Sequence, residues 1–410
     1  MTNRYFLVFI LLSLLMISCK SNKEPSHLVD FVDPTIGNVG HLLQPTRPTV
    51  QLPNQMIRMY PQRTDYLDDQ ISYFPLTLPS HRQPALFGLL PGSGDPAAGT
   101  WKNRQTYDHD LEITKPFYYS TYLIDEDITV QFVPAAKTGL FTFLFPEDKN
   151  KRIRLSIVNQ GEWNIVSEDS FEGIEEIEGM KVFVHGRFNR TAQLSIDKES
   201  QKPVLWADFA GNENQVGFKY GISFIDLEQA KRNLENEIPE WDFNSLRDSG
   251  EKSWEEALGK IQVKGGTEAQ KRSFYTSLYR YYERMVNISE EGRYYSAYDH
   301  SIHESDRNFY VDDWVWDSYL THHPLRMIIE TEKQADMLDS YIRMYEQSGW
   351  MPQFPLLYKD NPAMHGFHST IVFLDAWKKN IRDYDVKKAY EGMKKNALER
   401  TMLPWRNGPK

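Results

Sequence analysis

The chain has 410 residues, with 47 basic and 57 acidic side chains and a formal net charge of -10 at pH 7. This length suggests two or three domains at roughly 150 residues each. A composition of 40% hydrophobic and 13% aromatic residues excludes a chain that is disordered throughout. The negative charge repels polyphosphate, and no run of Lys and Arg with interleaved aromatic residues offsets it, so nucleic acid is not an expected partner.

The first residues have the pattern of an export signal. Arg4 precedes an apolar run over residues 6–17, which is shorter than the ~20 residues that a membrane-spanning helix needs. Cys19, the single cysteine of the chain, follows in an arrangement that looks like a bacterial lipobox; a free thiol near a cleaved signal is the alternative. We predict a lipoprotein signal peptide over residues 1–18, a lipid anchor on Cys19, a polar tether over residues 19–27, and a location in the cell envelope, in the periplasm or at the outer membrane.

Short strands dominate residues 28–243. Residues 139–145 and 152–158 alternate with period two, as half-buried strands do, and similar runs occur at 181–184, 204–209 and 218–224. Turn-forming residues separate these runs, a spacing typical of antiparallel sandwiches. We therefore predict an N-terminal β-sandwich domain over residues 28–243.

The pattern changes to helical periodicity after a connector that we place at residues 244–265. Thr267 and Gln270 have the spacing of a capping box, and Thr331 and Gln334 repeat it. We expect the chain to be helical from Thr267 onward, with a helix ending before Gly349. Further helices are predicted at about 314–328, 367–380 and 385–400.

The densest group of chemically useful side chains lies at residues 309–325. If a helix begins at Asp312 or Asp313, that carboxylate caps it, and Asp313 and Asp317 then lie one turn apart on one side. Trp316 stands beside Asp317. An aromatic plane next to a carboxylate can hold a sugar, because the ring covers a C–H face while the carboxylate accepts hydroxyl protons.

Structural roles are the alternative for the same residues. Asp312 could be a helix cap and no more, and Trp316 could be part of the core. His322 and His323 are each expected as core histidines with satisfied hydrogen bonds.

Two other regions carry ionisable candidates. A proline-punctuated, aromatic-rich loop contains Asp360, His365 and His368. Zinc is disfavoured there, because the two histidines are three residues apart and lack the neighbouring glutamate of the helical zinc motif. In the strand region, His81 and Arg82 stand in a proline-bounded turn, for which an ordinary surface loop is the alternative.

Several of these segments together resemble glycoside hydrolase family 92, whose bacterial members are exo-α-mannosidases. They are Val-Asp-Pro-Thr-Ile-Gly at 32–37, Trp-Asp-Ser-Tyr at 316–319 with His-Pro-Leu at 323–325, and Ser-Gly-Trp-Met-Pro at 348–352. The similarity runs over nearly all of residues 30–408.

The resemblance implies a multidomain fold, in which an antiparallel β-sandwich is followed by part of an (α/α)6 helical barrel over residues 266–410. It implies a site where the two meet, inversion at the anomeric carbon, and a Ca2+ cofactor that binds O2 and O3 of the mannoside. It places Trp316 and Asp317 in the mannose pocket, with Asp360 nearby and His81 and Arg82 closing the pocket from the sandwich.

Two departures from the family pattern are visible. The family's usual Gly-Asp-His-Ala is Lys-Asp-Asn-Pro at residues 359–362, which keeps only the aspartate. From Gly266 to Lys410 there are 145 residues, whereas twelve barrel helices with loops need roughly 200 or more. The family's catalytic acid and base are therefore expected beyond Lys410, and this chain is interpreted as a truncated member with no catalytic residue of its own.

The resulting hypothesis is a calcium-dependent, inverting exo-α-mannosidase, with α-1,2 as the expected linkage, that trims terminal mannose from glycans at the envelope. The first alternative is a non-catalytic glycan-binding envelope lipoprotein. The second is another helical-barrel glycosidase, such as a trehalase-like hydrolase.

Overall fold

A computed structural model describes residues 27–40, 46–80, 83–93, 104–198, 202–361 and 366–399. Cys19, His81, Arg82 and His365, together with the predicted signal peptide, lie outside these residues. No helix within the described ranges combines the length and apolar character that a membrane crossing requires.

The N-terminal part is built of antiparallel strands. In chain order they are β1 (Val50–Gln51), β2 (Arg58–Met59), β3 (Gln70–Ile71), β4 (Phe74–Thr77), β5 (Leu86–Gly92), β6 (Gln105–Thr106), β7 (Ile113–Lys115), β8 (Tyr118–Leu123), β9 (Ile128–Pro134), β10 (Thr138–Leu144), β11 (Lys151–Ser156), β12 (Gln160–Ile165), β13 (Ser170–Ile177), β14 (Met180–Phe188), β15 (Gln193–Asp197), β16 (Val204–Phe209) and β17 (Gln215–Ser223). Within the described residues, one sheet has eight strands in the order β12-β13-β14-β17-β10-β9-β8-β7, and a second has five in the order β15-β16-β11-β5-β4. Single 3-10 turns lie at Leu28–Phe31 and His109–Leu111.

Aromatic side chains join the two sheets face to face. Phe141 of β10 lies opposite Phe218 of β17 within the larger sheet. Its ring is 6.3 Å from the ring of Phe74 in the smaller sheet. All three are fully buried, so the period-two pattern of the sequence corresponds to one shared core. The predicted strands at 139–145 and 152–158 are confirmed as β10 and β11.

The rest of the described chain is mainly helical. Its helices are α1 (Leu227–Glu237), α2 (Phe243–Leu258), α3 (Glu268–Tyr282), α4 (Val315–Ser318), α5 (His322–Ile329), α6 (Thr331–Ser348), α7 (Ser369–Lys378) and α8 (Val386–Glu399). Its strands are β18 (Val286–Asn287), β19 (Arg293–Ser296), β20 (Ser301–Glu304) and β21 (Tyr310–Val311). Helices α5 to α8 pack beside one another. The order is thus a β-rich domain followed by a helical region.

Two elements were not expected from the sequence. Helix α1 lies within the segment predicted as strands, and it packs on β17 so closely that a Cβ at Gly221 would lie 2.2 Å from the carbonyl oxygen of Ala230. The hairpin of β19 and β20 interrupts the segment predicted as continuously helical. The expectation of an uninterrupted helical region after Thr267 is therefore wrong.

The capping predictions have different outcomes. At α3 both hydrogen bonds of the Thr267–Gln270 capping box are present. At α6 no side chain caps the helix. The second prediction is wrong because Gln334 points into the core, where its side-chain amide contacts Nδ1 of His323. Helix α6 ends, as expected, before Gly349, whose φ of 79° is left-handed.

The predicted helix at 314–328 is divided into α4 and α5. Asp312 has a φ of +61°, which is incompatible with a helix start at this residue. Helix α4 begins after Trp314 without a side-chain cap, so neither Asp312 nor Asp313 caps it. The expected placement of Asp313 and Asp317 on successive turns of one helix is therefore wrong.

Candidate functional site

A cavity of about 260 Å³ lies where the sandwich meets the helical region. This volume is close to the lower end for small-ligand sites. Both parts of the chain supply its walls. The lining residues are Thr46, Arg47, Thr49, Gln51, Arg58, Leu78, Ser80, Arg280, Glu283, Arg284, Trp314, Asp317 and His322. We call this the junction cavity.

The start of helix α4 contributes an aromatic ring and a carboxylate to the junction cavity. The ring of Trp314 packs edge-on against Phe354 at 5.1 Å, and the guanidinium of Arg284 lies 4.3 Å from the ring centroid. Asp317 donates its backbone N–H to the Trp314 carbonyl oxygen at 2.8 Å. This single turn therefore places Trp314 and Asp317 on the same cavity wall.

The tryptophan in the junction cavity is not the one that the sequence singled out. Trp316 is 37% exposed and is not among the residues that line the cavity. On the helix predicted at 314–328, residues two apart would face different directions. In the structure Trp314 directly precedes α4, Trp316 lies within it, and only Trp314 lines the cavity. Sequence reasoning missed Trp314, although this i, i+2 spacing could have indicated that one of the two rings points elsewhere.

Beneath the cavity, the carboxylate of Asp312 is completely buried. It accepts hydrogen bonds from Nη1 of Arg58 and from Oγ of Ser80, both from the sandwich. Nε of Arg284 lies 3.9 Å from Oδ2 of Asp312. Three lining residues from separate segments therefore converge on one carboxylate that does not itself line the cavity.

A second buried network begins at the next residue. Oδ2 of Asp313 lies 2.8 Å from Nε2 of His323 and accepts a hydrogen bond from the Tyr341 hydroxyl. Burial raises the pKa of Asp313, but His323, Tyr341 and Ser318 outweigh it and hold the pKa well below its ordinary value. With Gln334 on its other nitrogen, His323 is confirmed as a satisfied core histidine.

His322 differs from its neighbour because it lines the junction cavity. Burial, together with the positive charge of Arg326, lowers the pKa of His322 to about 3. Its ring packs edge-on against Tyr281 at 5.7 Å. His322 is thus a neutral imidazole at neutral pH, able to donate or accept a hydrogen bond but not to supply a positive charge.

Asp360 stabilises the loop that packs against the Trp314 ring of the junction cavity. Oδ1 accepts hydrogen bonds from the backbone N–H groups of Gln353, at 3.0 Å, and Phe354, at 2.8 Å. Asp360 does not line the junction cavity. Because Phe354 packs on Trp314, Asp360 fixes the loop that supports the ring.

Most of the remaining predicted candidates lie outside the described residues. His81 and Arg82 lie outside the described residues, directly after Ser80, which does line the cavity. Cys19 also lies outside them. Of the two loop histidines, His365 is undescribed, and the ring of His368 packs against Tyr319 at 4.5 Å.

The described residues do not fit a calcium site built from side chains. Among them, no three His, Cys, Asp or Glu side chains come close enough together to share a metal ion. Calcium prefers six to eight oxygen ligands, and the carboxylates of the cavity wall, Glu283 and Asp317, are too few to supply them.

Comparisons with known proteins agree with this architecture. Residues 31–223 match the glycosyl hydrolase family 92 N-terminal domain, and residues 229–409 match the glycosyl hydrolase family 92 catalytic domain. A curated relative from Arthroderma benhamiae, described as an uncharacterized secreted glycosidase, is 27% identical over 204 residues, which are 48% of this chain and 22% of the relative.

Two solved structures from Bacteroides thetaiotaomicron share the fold. The family GH92 inverting mannosidase BT2199 superposes with a TM-score of 0.86 at 22% identity, over 94% of this chain and 57% of that one. The family GH92 α-mannosidase BT3965 superposes with a TM-score of 0.85 at 23% identity, over 92% of this chain and 58% of that one. The chain thus spans less than two thirds of the length of these relatives. Since the two domain matches together cover most of the sequence, the chain belongs to glycoside hydrolase family 92.

Proposed function

We propose that the chain takes part in the hydrolysis of terminal α-mannosides with inversion, and that the junction cavity binds the terminal mannose. The observation that carries the proposal is the pairing of Trp314 with Asp317 on one wall of a cavity between two family 92 domains. The similar structures are named as mannosidases, and one is named as inverting.

The described groups supply the chemistry of sugar binding. An ionised Asp317 can accept two hydroxyl protons, and an indole face can cover the C–H groups of a sugar ring. His322 remains neutral and can hydrogen-bond a third hydroxyl, while Arg284 can donate to a ring or hydroxyl oxygen. The proposal assigns Trp316 a weaker role at the outer rim, because its ring is exposed outside the cavity.

Inversion also requires a catalytic acid and a catalytic base. Their carboxyl groups are typically about 6.5 to 9.5 Å apart, which leaves room for the attacking water. We assign neither role to a described residue. The proposal is that the helical region contributes to an (α/α)6 barrel that brings the acid and base to the junction cavity.

Several finer features belong to the same proposal. We propose an α-1,2 linkage, a calcium requirement, and attachment to the envelope membrane through Cys19. The described residues do not by themselves supply the ligands of a calcium ion. Chelation with EDTA followed by calcium addition tests the requirement directly.

The test uses the full chain and α-1,2-mannobiose. We expect calorimetry to detect binding that Asp317→Asn weakens by about tenfold or more, and NMR of the released sugar to show the inverted anomer if turnover occurs. Binding of a glucoside in preference to the mannoside would contradict the proposal and favour another helical-barrel glycosidase.

A glycan-binding role without turnover is the second candidate. It is favoured by one observation: of the two carboxylates on the described cavity wall, Glu283 is paired with Arg280, and Asp317 is the one beside the Trp314 ring. Binding of mannobiose that depends on Asp317, with no product after prolonged incubation, would support this candidate.

A further inference from the structure

We infer that Asp312 is a positioning residue that holds the walls of the junction cavity together. It acts through Arg58, Ser80 and Arg284, which line the cavity, and it does not line the cavity itself. Only the sugar-binding consequence of this inference rests on the proposed function.

The contacts of Asp312 join two parts of the chain. Its two carboxylate oxygens accept hydrogen bonds from Arg58 and Ser80, which are 254 and 232 residues away in sequence. Arg284, from the segment after α3, approaches the same Oδ2 at 3.9 Å. The side chain of Asp312 is 0% exposed, so solvent does not compete for these donors.

Arg58 is fixed by more than its ion pair. Its Nε donates to the Leu78 carbonyl oxygen at 2.9 Å, and its Nη2 donates to the Pro79 carbonyl oxygen. The guanidinium cannot swing into solvent without breaking these hydrogen bonds. Loss of the Asp312 charge would therefore leave a pinned, buried cation beside the cavity.

The carboxylates that line the cavity do not replace Asp312 as the partner of Arg58. Glu283 is already paired with Arg280, with 2.9 Å between Oε1 and Nη1. The remaining carboxylate among the described lining residues is Asp317, which no hydrogen bond or ion pair given above joins to Arg58. Neutralising Asp312 therefore adds one net positive charge to the cavity wall.

The backbone makes a matched substitution available. Asp312 has a φ of +61°, and asparagine is among the residues that tolerate this left-handed region. Asp312→Asn thus keeps the size and backbone preference of the side chain while removing its charge. An alanine at this position would mix charge loss with backbone strain.

The direct test is sulfate binding by the full chain, measured by isothermal titration calorimetry. We expect Asp312→Asn to bind sulfate about tenfold or more tightly than the parent, because the unpaired guanidinium attracts an anion at short range. The charge-balanced variant Arg58→Met with Asp312→Asn should return to the parent affinity. A folded Asp312→Asn protein with unchanged sulfate affinity would overturn the inference.

Glu290→Gln is the matched control for removing a buried acid. Glu290 is also 0% exposed, but its partners are the backbone N–H of Phe224 and the amide of Asn233, with no guanidinium among its hydrogen bonds. Both variants are measured at about pH 8.5, above the pKa of about 7 that burial gives Glu290, so that each removes an ionised carboxylate. Glu290→Gln should then leave sulfate affinity unchanged. If Glu290→Gln increased sulfate affinity as much as Asp312→Asn does, the effect would be a general one of net charge, and the inference would also be refuted.

A second readout remains if Asp312→Asn alone fails to fold. The double variant removes both members of the ion pair, which buried pairs commonly tolerate. We expect it to fold and to bind mannobiose about fivefold or more weakly than the parent, with the sulfate affinity of the parent. If the double variant bound mannobiose as tightly as the parent does, the positioning role of Asp312 would be refuted. Absence of mannobiose binding in the parent itself would count against the proposed function, while the sulfate comparison would still decide the role of Asp312.

Discussion

The guanidinium of Arg284 lies 4.3 Å from the centroid of the Trp314 ring. Phe354 packs against the same ring nearly at right angles, with an interplanar angle of 81°. The indole is therefore held in one orientation by a cation and by an aromatic edge. Its position in the junction cavity is set by residues 30 and 40 positions away, from the segment after α3 and from the loop after α6.

Replacing Trp314 should weaken mannoside binding more than replacing Trp316. We expect Trp314→Ala to lower the affinity for α-1,2-mannobiose by roughly tenfold or more, since an aromatic contact in a cavity contributes about 1 kcal/mol or more beyond its buried area. Trp316→Ala, which removes a ring outside the cavity, should change it by less than about threefold. Calorimetric titration of both variants makes the comparison.

The two tryptophan variants control for each other, because Trp314 directly precedes helix α4 and Trp316 lies within it. A larger loss of affinity in Trp316→Ala would place the sugar on the outer face of α4 and would contradict the junction cavity as the binding site.

Replacing Asp317 should affect binding without affecting stability. Asp317 is exposed, so Asp317→Asn is expected to leave the melting temperature within about 1 °C of the parent. The loss of charge-assisted hydrogen bonds to hydroxyl groups, at roughly 1.5 to 3 kcal/mol each, should lower mannobiose affinity by tenfold or more. Titration calorimetry and thermal unfolding of the same samples separate the two effects.

Glu256→Gln provides the control for surface charge. Its side chain is 70% exposed on α2 and lies outside the cavity lining. Equal losses of affinity in the two variants would mean that net charge, rather than Asp317, controls binding.

The sequence predicted the strands of the sandwich more completely than it predicted the residues of the candidate site. Strand β10 was placed within one residue at each end, because alternation along a strand directly reports which face enters the shared core. The end of α6 was located because Gly349 adopts the left-handed conformation that favours glycine. Local signals were sufficient for both features.

The backbone turn before α4 depends on contacts distant in sequence. The left-handed Asp312 is stabilised by Arg58 and Ser80, and no local pattern connects these residues. The sequence therefore identified the segment that carries Asp317 but not the residues of the sandwich that complete the cavity. It also selected Trp316 rather than Trp314, because residue type alone does not give the direction of a ring.

Acidification should weaken the Asp313 network. The folded-state pKa of Asp313 lies below its ordinary value of about 3.9, so its contribution to stability is fully present above about pH 4 and is lost as the pH falls further. We expect Asp313→Asn to lower the free energy of unfolding by roughly 3 kcal/mol at pH 7. The difference from the parent should shrink below pH 4, as measured by urea unfolding across this range.

Tyr341→Phe is the milder companion variant at the same site. It removes one hydrogen-bond donor to Asp313 and leaves His323 in place. The free energy of unfolding is therefore expected to fall by about 1 kcal/mol. A difference between Asp313→Asn and the parent that stays constant from pH 7 to pH 3 would contradict the depressed pKa.

The contribution of Glu290 to the free energy of unfolding should have the opposite pH dependence. Burial raises its pKa to about 7, although hydrogen bonds from Phe224, Ser223 and Asn233 partly offset the shift. Between the unfolded-state pKa, about 4.5, and pH 7, the unfolded chain releases this proton while the folded chain retains it, so stability is full below pH 4.5 and falls as the pH rises. The expected loss is about 3 kcal/mol by pH 7, at 1.36 kcal/mol for each unit.

Glu290→Gln removes this titration, so its stability relative to the parent should rise by about 3 kcal/mol from pH 4.5 to pH 7.5. Urea unfolding at half-unit pH intervals gives the slope independently of any constant offset caused by the new amide. The exposed neighbour Glu291, whose carboxylate pairs with Arg232, supplies the control variant Glu291→Gln. Its difference in stability from the parent is expected to stay constant with pH. A flat difference for Glu290→Gln as well would mean that the buried carboxyl group is already ionised in the folded protein at pH 5.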